Sequence, residues 1–126
     1  MSDVIGIGLD LCEISRMEAL CGGPFTERFF TEAERAYLAG QGQAAAASLA
    51  GLWAAKEAVL KALGTGITVP LREVEILHGE TGAPRVVLHG KAAELAGGSS
   101  LHLSITHEGN MAAAVCVRTA GEKDAK

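Results

Sequence analysis

The sequence predicts an α+β fold in a single domain, and three observations support that prediction. The chain has 126 residues, which is the usual size of one domain. Apolar residues make up 48% of the chain and charged residues only 21%, which excludes intrinsic disorder. Helical patterns fill the first half and alternating strand patterns follow Pro70, so the order of elements is strand, helices, hairpin, helix and hairpin.

The first half is predicted to hold one strand and several helices. The apolar stretch Val4–Leu11 predicts a strand in which two glycines leave one side bare. Ser15 followed three residues later by Glu18 matches a capping box, so a helix is expected to begin near Arg16. Thr31 forms a second capping box with the glutamate three residues after it. Further helices are predicted at Phe25–Phe30, Glu32–Leu38 and Ala45–Leu63.

The longest of these helices carries both an apolar and a polar arc. Its leucines and its tryptophan fall on one arc, whereas Glu57 and Lys61 fall on another together with the first glycine after the helix. Glu57 and Lys61 are also spaced as an i,i+4 pair, which supports a helix by about 0.3–0.5 kcal/mol. Lys56 points into the apolar arc, where a lysine must snorkel to solvent or find an anion.

The second half is predicted to form two hairpins with a short helix between them. The strands are expected at Glu73–His78, Arg85–His89, Leu101–Thr106 and Met111–Val117, and the helix at Lys91–Ala96. The domain is expected to span residues 1–120, and residues 121–126 are predicted to be a polar, frayed tail.

Charge and cysteine content narrow the function classes. There are 11 basic and 15 acidic residues and a net charge of −4, which argues against nucleic-acid and anionic-membrane partners. The three cysteines contain no CxxC pair and fit neither a disulfide framework nor a zinc site. The start of the chain lacks a signal-peptide pattern and no apolar run reaches about 18 residues, so we expect a soluble cytoplasmic protein.

Asp10 and Glu57 are candidate metal ligands. Asp10 ends an apolar strand, where an ionised carboxylate needs a partner, and Glu57 has small apolar neighbours on its helix. Two carboxylates without a Cys/His cluster suit a hard cation such as Mg²⁺. The alternative is a turn aspartate and a solvated helix glutamate that never meet.

The segment after the long helix is a candidate phosphate site. Lys61 lies close to Gly64, Thr65 and Gly66, whose free N–H groups form a plausible phosphate cradle. The P-loop pattern is absent, and a glycine that caps the end of the helix is the alternative.

The last candidate is a polar strand face. His102, Ser104 and Thr106 share one face of a predicted strand, and His107 follows them, which indicates a wet or liganded surface. Nucleophilic catalysis by Ser104 is disfavoured, because the serine is not in a GxSxG turn and no orienting acid is evident.

Taken together, these segments resemble the holo-acyl-carrier-protein synthase family of small single-domain 4′-phosphopantetheinyl transferases. The central stretch, WAAKEAVLKALGTG, is similar to the family's [FW]-A-x-K-E-A-x-x-K-A-x-G-T-G pattern, which is highly specific in that context. The resemblance covers nearly the whole chain, and its segments are Ile7–Arg16, Phe25–Glu34, Trp53–Gly66, His102–His107 and Ala112–Val117.

The resemblance implies a fold and a reaction. The fold would be a small antiparallel sheet packed against a long central helix. The reaction would transfer 4′-phosphopantetheine from CoA to a serine of apo acyl carrier protein, in fatty acid biosynthesis, and release adenosine 3′,5′-bisphosphate. Asp10 and Glu57 would hold Mg²⁺, which neutralises phosphate charge and orients the phosphoryl centre. Glu57, or a water that it positions, would act as the base, and Lys61 would stabilise or protonate the leaving phosphate.

The resemblance also implies partners. Five residues would contact the adenosine phosphates of CoA, namely Gly64, Thr65, Gly66, Thr106 and His107. Arg16 would face the acidic carrier protein, and the family's chains of this length are typically homotrimers with the CoA site between subunits. A CoA-binding or carrier-binding module without turnover is the alternative function, and a Mg²⁺-dependent phosphohydrolase is another.

The chain departs from the resemblance at one place. Family members often carry an arginine immediately before the central aromatic residue, but this chain has Leu52 there, and Gln43–Ala47 hold no positive charge. We therefore expect weak binding of the CoA 3′-phosphate and little discrimination between CoA and dephospho-CoA. If Leu52→Arg disrupts folding instead of lowering the KM for CoA, Leu52 belongs to the apolar helix face.

Overall fold

The structure is a computed structural model that describes residues 3–121. Within that range the chain forms an α+β fold of five strands and five α-helices, joined by short 3₁₀ turns. The strands are β1 (Val4–Glu13), β2 (Val74–His78), β3 (Pro84–Leu88), β4 (Ser100–Glu108) and β5 (Met111–Thr119). The helices are α1 (Ile14–Met17), α2 (Pro24–Phe29), α3 (Glu32–Ala39), α4 (Ala45–Leu63) and α5 (Gly90–Ala96).

Two antiparallel sheets surround the long helix. The larger sheet has three strands in the order β1-β5-β4, so β5 lies between β1 and β4. The smaller sheet is the β2–β3 hairpin. In the larger sheet Asp10 is paired with Ala114, and Thr106 with the adjacent Ala113. The predicted antiparallel sheet packed against a long central helix is confirmed.

Two glycines bring β1 into direct contact with the backbone of α4. A Cβ atom on Gly8 would lie 1.9 Å from the carbonyl oxygen of Ala58, and one on Gly6 would lie 2.1 Å from that of Ala62. Any side chain at either place would collide with helix backbone rather than with a flexible side chain. The bare strand face predicted from the sequence is therefore the face that touches α4, and Asp10 follows next on the same face.

The core is built mainly from small and aliphatic residues. Helix α4 is buried on nearly all sides, and five of its buried residues are alanines, at 50, 54, 55, 58 and 62. Trp53 is only partly buried and contacts the rings of Phe25, Phe29 and Phe30.

Among the helices of residues 3–121, none has the length and hydrophobicity that a membrane span requires.

The outer face of the larger sheet is apolar and exposed. Successive outward residues of β1, namely Ile7, Leu9 and Leu11, are 66%, 61% and 62% exposed. They lie beside Val117, Val115 and Ala113 of β5, and beyond these stand His102, Ser104 and Thr106 of β4. Three apolar side chains in a row on an edge strand form an unusually apolar surface.

Most predicted elements are confirmed, and one cap is wrong. Helix α4 has the predicted bounds, and Thr31 and Glu34 form the predicted capping box. Ser15 does not cap a helix, because β1 continues to Glu13 and α1 begins at Ile14 without a side-chain cap. The Ser15 N–H instead donates to the side chain of Asn110. The predicted tail at 121–126 lies outside the described residues, apart from Gly121, which is buried against Gly98.

Candidate active site

Asp10, Glu57 and Lys61 meet where β1 crosses α4. The Lys61 Nζ donates to the Leu9 carbonyl oxygen at 2.9 Å and to Asp10 Oδ1 at 3.2 Å. The Asp10 side chain is 20% exposed and that of Lys61 is 53% exposed, so the group opens to solvent. Asp10 and Glu57 are 47 residues apart in the sequence. In the fold, Glu57 lies close enough to Asp10 for the charge of Asp10 to raise its pKa.

The electrostatics of Glu57 show that the carboxylates interact. Burial raises the pKa of Glu57, the negative charge of Asp10 raises it further, and the ammonium group of Lys61 lowers it. A carboxylate with a raised pKa is better suited to accept a proton than an ordinary glutamate. Asp10 lies within β1 and Glu57 is partly buried, so the two are not a turn aspartate and a fully solvated helix glutamate.

The donor set fits a hard divalent cation. In the part of the chain that the structure describes, no group of three or more His, Cys, Asp or Glu side chains could hold a metal ion. Mg²⁺ usually takes only one or two protein carboxylates and leaves its other positions to water and phosphate oxygens. Two partly exposed carboxylates whose charges repel each other match that requirement. Asp10 and Glu57 would be its ligands.

The segment after α4 closes the helix. Gly64 has φ +75° and ends α4 in the left-handed conformation that favours glycine. Its N–H donates to the carbonyl oxygens of Leu60 and Lys61, and the N–H of Thr65 donates to that of Leu60. The helix-cap interpretation is therefore confirmed for these two N–H groups. Gly64, Thr65 and Gly66 follow Lys61 by three to five residues, and CoA binding by them stays a prediction.

Thr106 and His107 stand apart from the carboxylates in one protomer. They lie on β4, and β5 separates them from Leu11 and Cys12 of β1. Adjacent strands lie about 4.8 Å apart, so the separation is about 10 Å. Both residues are exposed. The described contacts do not join them to Asp10 and Glu57.

The other polar residues of β4 face outward. His102 and Ser104 are exposed on the outer face of the sheet, and the His102 Nε2 lies 3.1 Å from the hydroxyl of Thr119. Ser104 makes no described side-chain hydrogen bond, and the expectation that it is not a nucleophile stays a prediction.

Arg16 and Leu52 have contrasting environments. Arg16 is exposed on α1, with its Nη2 3.7 Å from the sulfur of Cys12, and its guanidinium group is open to a partner. Leu52 is only 2% exposed and packs in the core. Leu52 therefore belongs to the apolar helix face, and an arginine there would be buried in this protomer.

Two contributors to the site region were missed in the sequence. The Leu9 carbonyl oxygen holds Lys61, but a backbone acceptor leaves no signal in side-chain patterns. Glu34 is the anion that Lys56 requires, at 2.8 Å from its Nζ. The capping box identified Glu34, but only the fold brings Glu34 and Lys56 together.

Comparisons with known proteins identify the family of the chain. The family model of the 4′-phosphopantetheinyl transferase superfamily matches residues 6–116. The holo-[acyl-carrier-protein] synthase of Treponema denticola is 42% identical over 119 residues, which cover 90% of this chain and 97% of that protein. The synthase of Myxococcus xanthus is 42% identical over 118 residues, which cover 89% and 92%.

Solved structures give the same result. A holo-(acyl-carrier-protein) synthase from Bacillus anthracis, solved in complex with CoA (3′,5′-ADP), superposes with a TM-score of 0.81. That protein is 33% identical, and the match covers 96% of this chain and all of the other. The family match, the fold and the relatives confirm the predicted enzyme class, and the chain belongs to the 4′-phosphopantetheinyl transferase superfamily.

Proposed function

We propose that this protein transfers 4′-phosphopantetheine from CoA to a serine of apo acyl carrier protein, in the presence of Mg²⁺, and releases adenosine 3′,5′-bisphosphate. The observation that carries the proposal is the contact between β1 and α4, which gathers Asp10, Glu57 and Lys61 at one partly exposed site. The relatives' names support the acyl carrier substrate, and the solved relative that contains CoA supports the donor.

The reaction balances as a phosphoryl transfer. The carrier serine oxygen forms a bond to the phosphorus that bears pantetheine, and the bond from that phosphorus to the bridging diphosphate oxygen breaks. Glu57 accepts the serine proton directly or through a water. A Mg²⁺ ion held by Asp10 and Glu57 would supply charge neutralisation at the diphosphate.

Lys61 would stabilise the leaving group. Its ammonium group is held beside Asp10 by the Leu9 carbonyl oxygen, yet half of the side chain is exposed and can reach a phosphate. It would compensate the charge that develops on the bridging oxygen or protonate it. Gly64, Thr65, Gly66, Thr106 and His107 would bind the adenosine phosphates, and Arg16 would contact the acidic carrier protein.

One assay tests the reaction. The protein is incubated with CoA, Mg²⁺ and apo carrier protein, and the carrier is weighed by mass spectrometry. A mass gain of one phosphopantetheine is expected, and Asp10→Ala and Glu57→Gln should each lose at least about 10²-fold in rate. Lys61→Ala should lower kcat more than it weakens CoA binding. CoA breakdown without carrier would identify a hydrolase, and neither product would identify a binding module; either result contradicts the proposal.

We further propose that the protein works as a homotrimer. The apolar outer face of the larger sheet supports this, because burying it between copies would remove three large exposed side chains per protomer from water. A site between subunits would also give Thr106 and His107 a carboxylate cluster on a neighbouring copy. The cytoplasmic location stays a prediction from the sequence.

A further inference from the structure

Lys56 is fully buried, and all its donors are used. Its side chain is 0% exposed, and its ammonium group donates to Glu34 Oε1 at 2.8 Å, to the Leu71 carbonyl oxygen at 3.0 Å and to that of Val74 at 2.7 Å. An ammonium group has three N–H donors. No donor is left for a phosphate, so Lys56 is not a second phosphate-binding lysine beside Lys61.

Its partner is equally well satisfied. Glu34 is 0% exposed and accepts from the backbone N–H groups of Thr31 and Ile76, each at 2.8 Å, in addition to Lys56. Burial lowers the pKa of Lys56, whereas the charge of Glu34 and its hydrogen bond raise it. Lys56 and Glu34 thus join α4 to α3, to the turn at Leu71 and to β2.

This network holds α4 on the side opposite β1. Successive helical side chains project about 100° apart. The side chain of Glu57 therefore projects between those of Lys56 and Ala58. The carbonyl oxygen of Ala58 lies against Gly8 of β1. A helix fixed on these two flanks cannot rotate about its axis, and Glu57 is the side chain whose direction such a rotation would change.

We propose that Lys56 is a positioning residue, which acts through its buried contacts to hold Glu57 toward Asp10 and touches neither CoA nor the carrier protein. The inference rests on the role proposed for Glu57. It predicts that loss of the network lowers kcat even where the fold survives.

The decisive variant removes both charges. Lys56→Met alone leaves Glu34 buried without its counter-ion, so we expect a large fall in Tm. The double variant Lys56→Met with Glu34→Gln removes that charge and should regain most of the Tm. Its kcat for phosphopantetheine transfer should still be lower than that of the wild type by about 10- to 100-fold, because a catalytic group misplaced by about 1 Å can lower the rate by about 100-fold. The KM for CoA should change by less than about threefold.

Thr26→Val is the matched stability control. Thr26 is buried, and its hydroxyl donates to the Gly23 carbonyl oxygen, so it takes no part in the hydrogen bonds of Lys56 and Glu34. This variant should lower the Tm without lowering kcat. A double variant that regains its Tm and has the kcat of the wild type would overturn the proposal. So would a double variant whose KM for CoA rises more than about tenfold at unchanged kcat, because that result means that the substrate and the transition state lost equal binding energy.

Two further variants keep the outcome decisive. If the double variant does not fold, Glu34→Asp shortens the anion by one methylene and keeps its charge, and a kcat equal to that of the wild type would overturn the proposal. Glu57→Gln, assayed in parallel, separates the two hypotheses. Wild-type turnover by Glu57→Gln would overturn the role of Glu57 and this inference together. An inactive Glu57→Gln beside a fully active double variant would overturn this inference alone.

Discussion

At the scale of single residues, the candidate site holds two carboxylates, Asp10 and Glu57, whose negative charges repel each other. Burial and the charge of Asp10 both raise the pKa of Glu57, and Lys61 offsets only part of that effect. The charged form of Glu57 is therefore less favourable in the folded chain than in the unfolded chain. By linkage, a carboxyl group with a raised folded pKa contributes stability that is present at low pH and is lost as the pH rises through that pKa.

Glu57→Gln should consequently stabilise the metal-free protein at neutral pH. Glutamine keeps the shape of the side chain but cannot ionise, so it avoids the charge that the wild type must bury in part. The Tm of the variant should exceed that of the wild type at pH 7.5 in the presence of a chelator, and the gap should close below about pH 4, where an unfolded glutamate is protonated.

The measurement is a thermal melt of both proteins from pH 3.5 to 8. Glu13→Gln is the control, because Glu13 is an exposed carboxylate at the end of β1. Its melting curve should follow that of the wild type. A Glu57→Gln protein that is less stable than the wild type at pH 7.5 would contradict the interpretation of the carboxylate pair as a stability cost.

At the scale of elements, the close approach of β1 to α4 places Asp10 in the site. The glycines at 6 and 8 allow this approach, because Cβ atoms there would overlap the carbonyl oxygens of Ala62 and Ala58. Gly8 and Asp10, two residues apart on the same face of β1, therefore have linked roles. Gly8 allows β1 to lie against the backbone of α4, and this approach brings the Asp10 side chain within hydrogen-bond distance of Lys61 on α4.

Gly8→Ala should therefore reduce both stability and activity. The added methyl group must push β1 from α4, so we expect a loss of about 2 kcal/mol or more in the free energy of unfolding. The free energy is measured by urea titration and the rate by the carrier mass assay. Gly40→Ala is the control, because its Cβ would meet no atom closer than 3.6 Å. A Gly8→Ala protein as stable as the wild type would show that the strand and the helix can separate freely.

The elements that could be predicted are those coded by nearby residues. The bounds of α4 follow from its alanine-rich pattern and its glycine stop, and the Thr31 capping box needs only the glutamate three residues later. The same short pattern failed at Ser15, because Asn110, 95 residues away, takes the Ser15 N–H. A capping box does not form when a distant residue already accepts the hydrogen bond from the backbone N–H that the box requires.

The residues of the candidate site could also be predicted from the sequence, but most of their contacts could not. Asp10, Glu57 and Lys61 could be chosen from residue type and resemblance, but not the hydrogen bonds that Lys61 makes. The burial of Lys56 could be expected from its place on the helix, but its partner Glu34 lies 22 residues away and depends on how α3 packs. Distances between elements are set by tertiary packing, which short sequence patterns do not specify.

At the scale of the whole molecule, the apolar outer sheet face should control assembly. Ile7→Lys places a charge in that face, where it is exposed in a monomer but would be buried between copies. We expect the wild type to sediment as a trimer and Ile7→Lys as a folded monomer, because exposed substitutions change folding stability little whereas an unpaired buried charge is costly.

Leu95→Lys is the matched control for this experiment. Leu95 is also an exposed apolar residue, at 42%, but it lies on α5 and not on the outer face of the sheet. Sedimentation of Leu95→Lys should match that of the wild type. An Ile7→Lys protein that assembles like the wild type, or a monomeric wild type, would contradict the proposed trimer.

The order of strands in the larger sheet also governs when the enzyme can mature during synthesis. Strand β5 lies between β1 and β4, so the strand that carries Asp10 has no neighbour in the sheet until residues 111–119 have been translated. Until then β1 exposes its peptide groups as well as its apolar outer face, a combination that favours aggregation of a nascent chain. Pairing residues near positions 4 and 119 is also a contact of high sequence separation, which slows folding. Residues 111–119 must therefore be translated before the candidate site can form, and a product that terminates before them has Asp10, Glu57 and Lys61 without the sheet that aligns them.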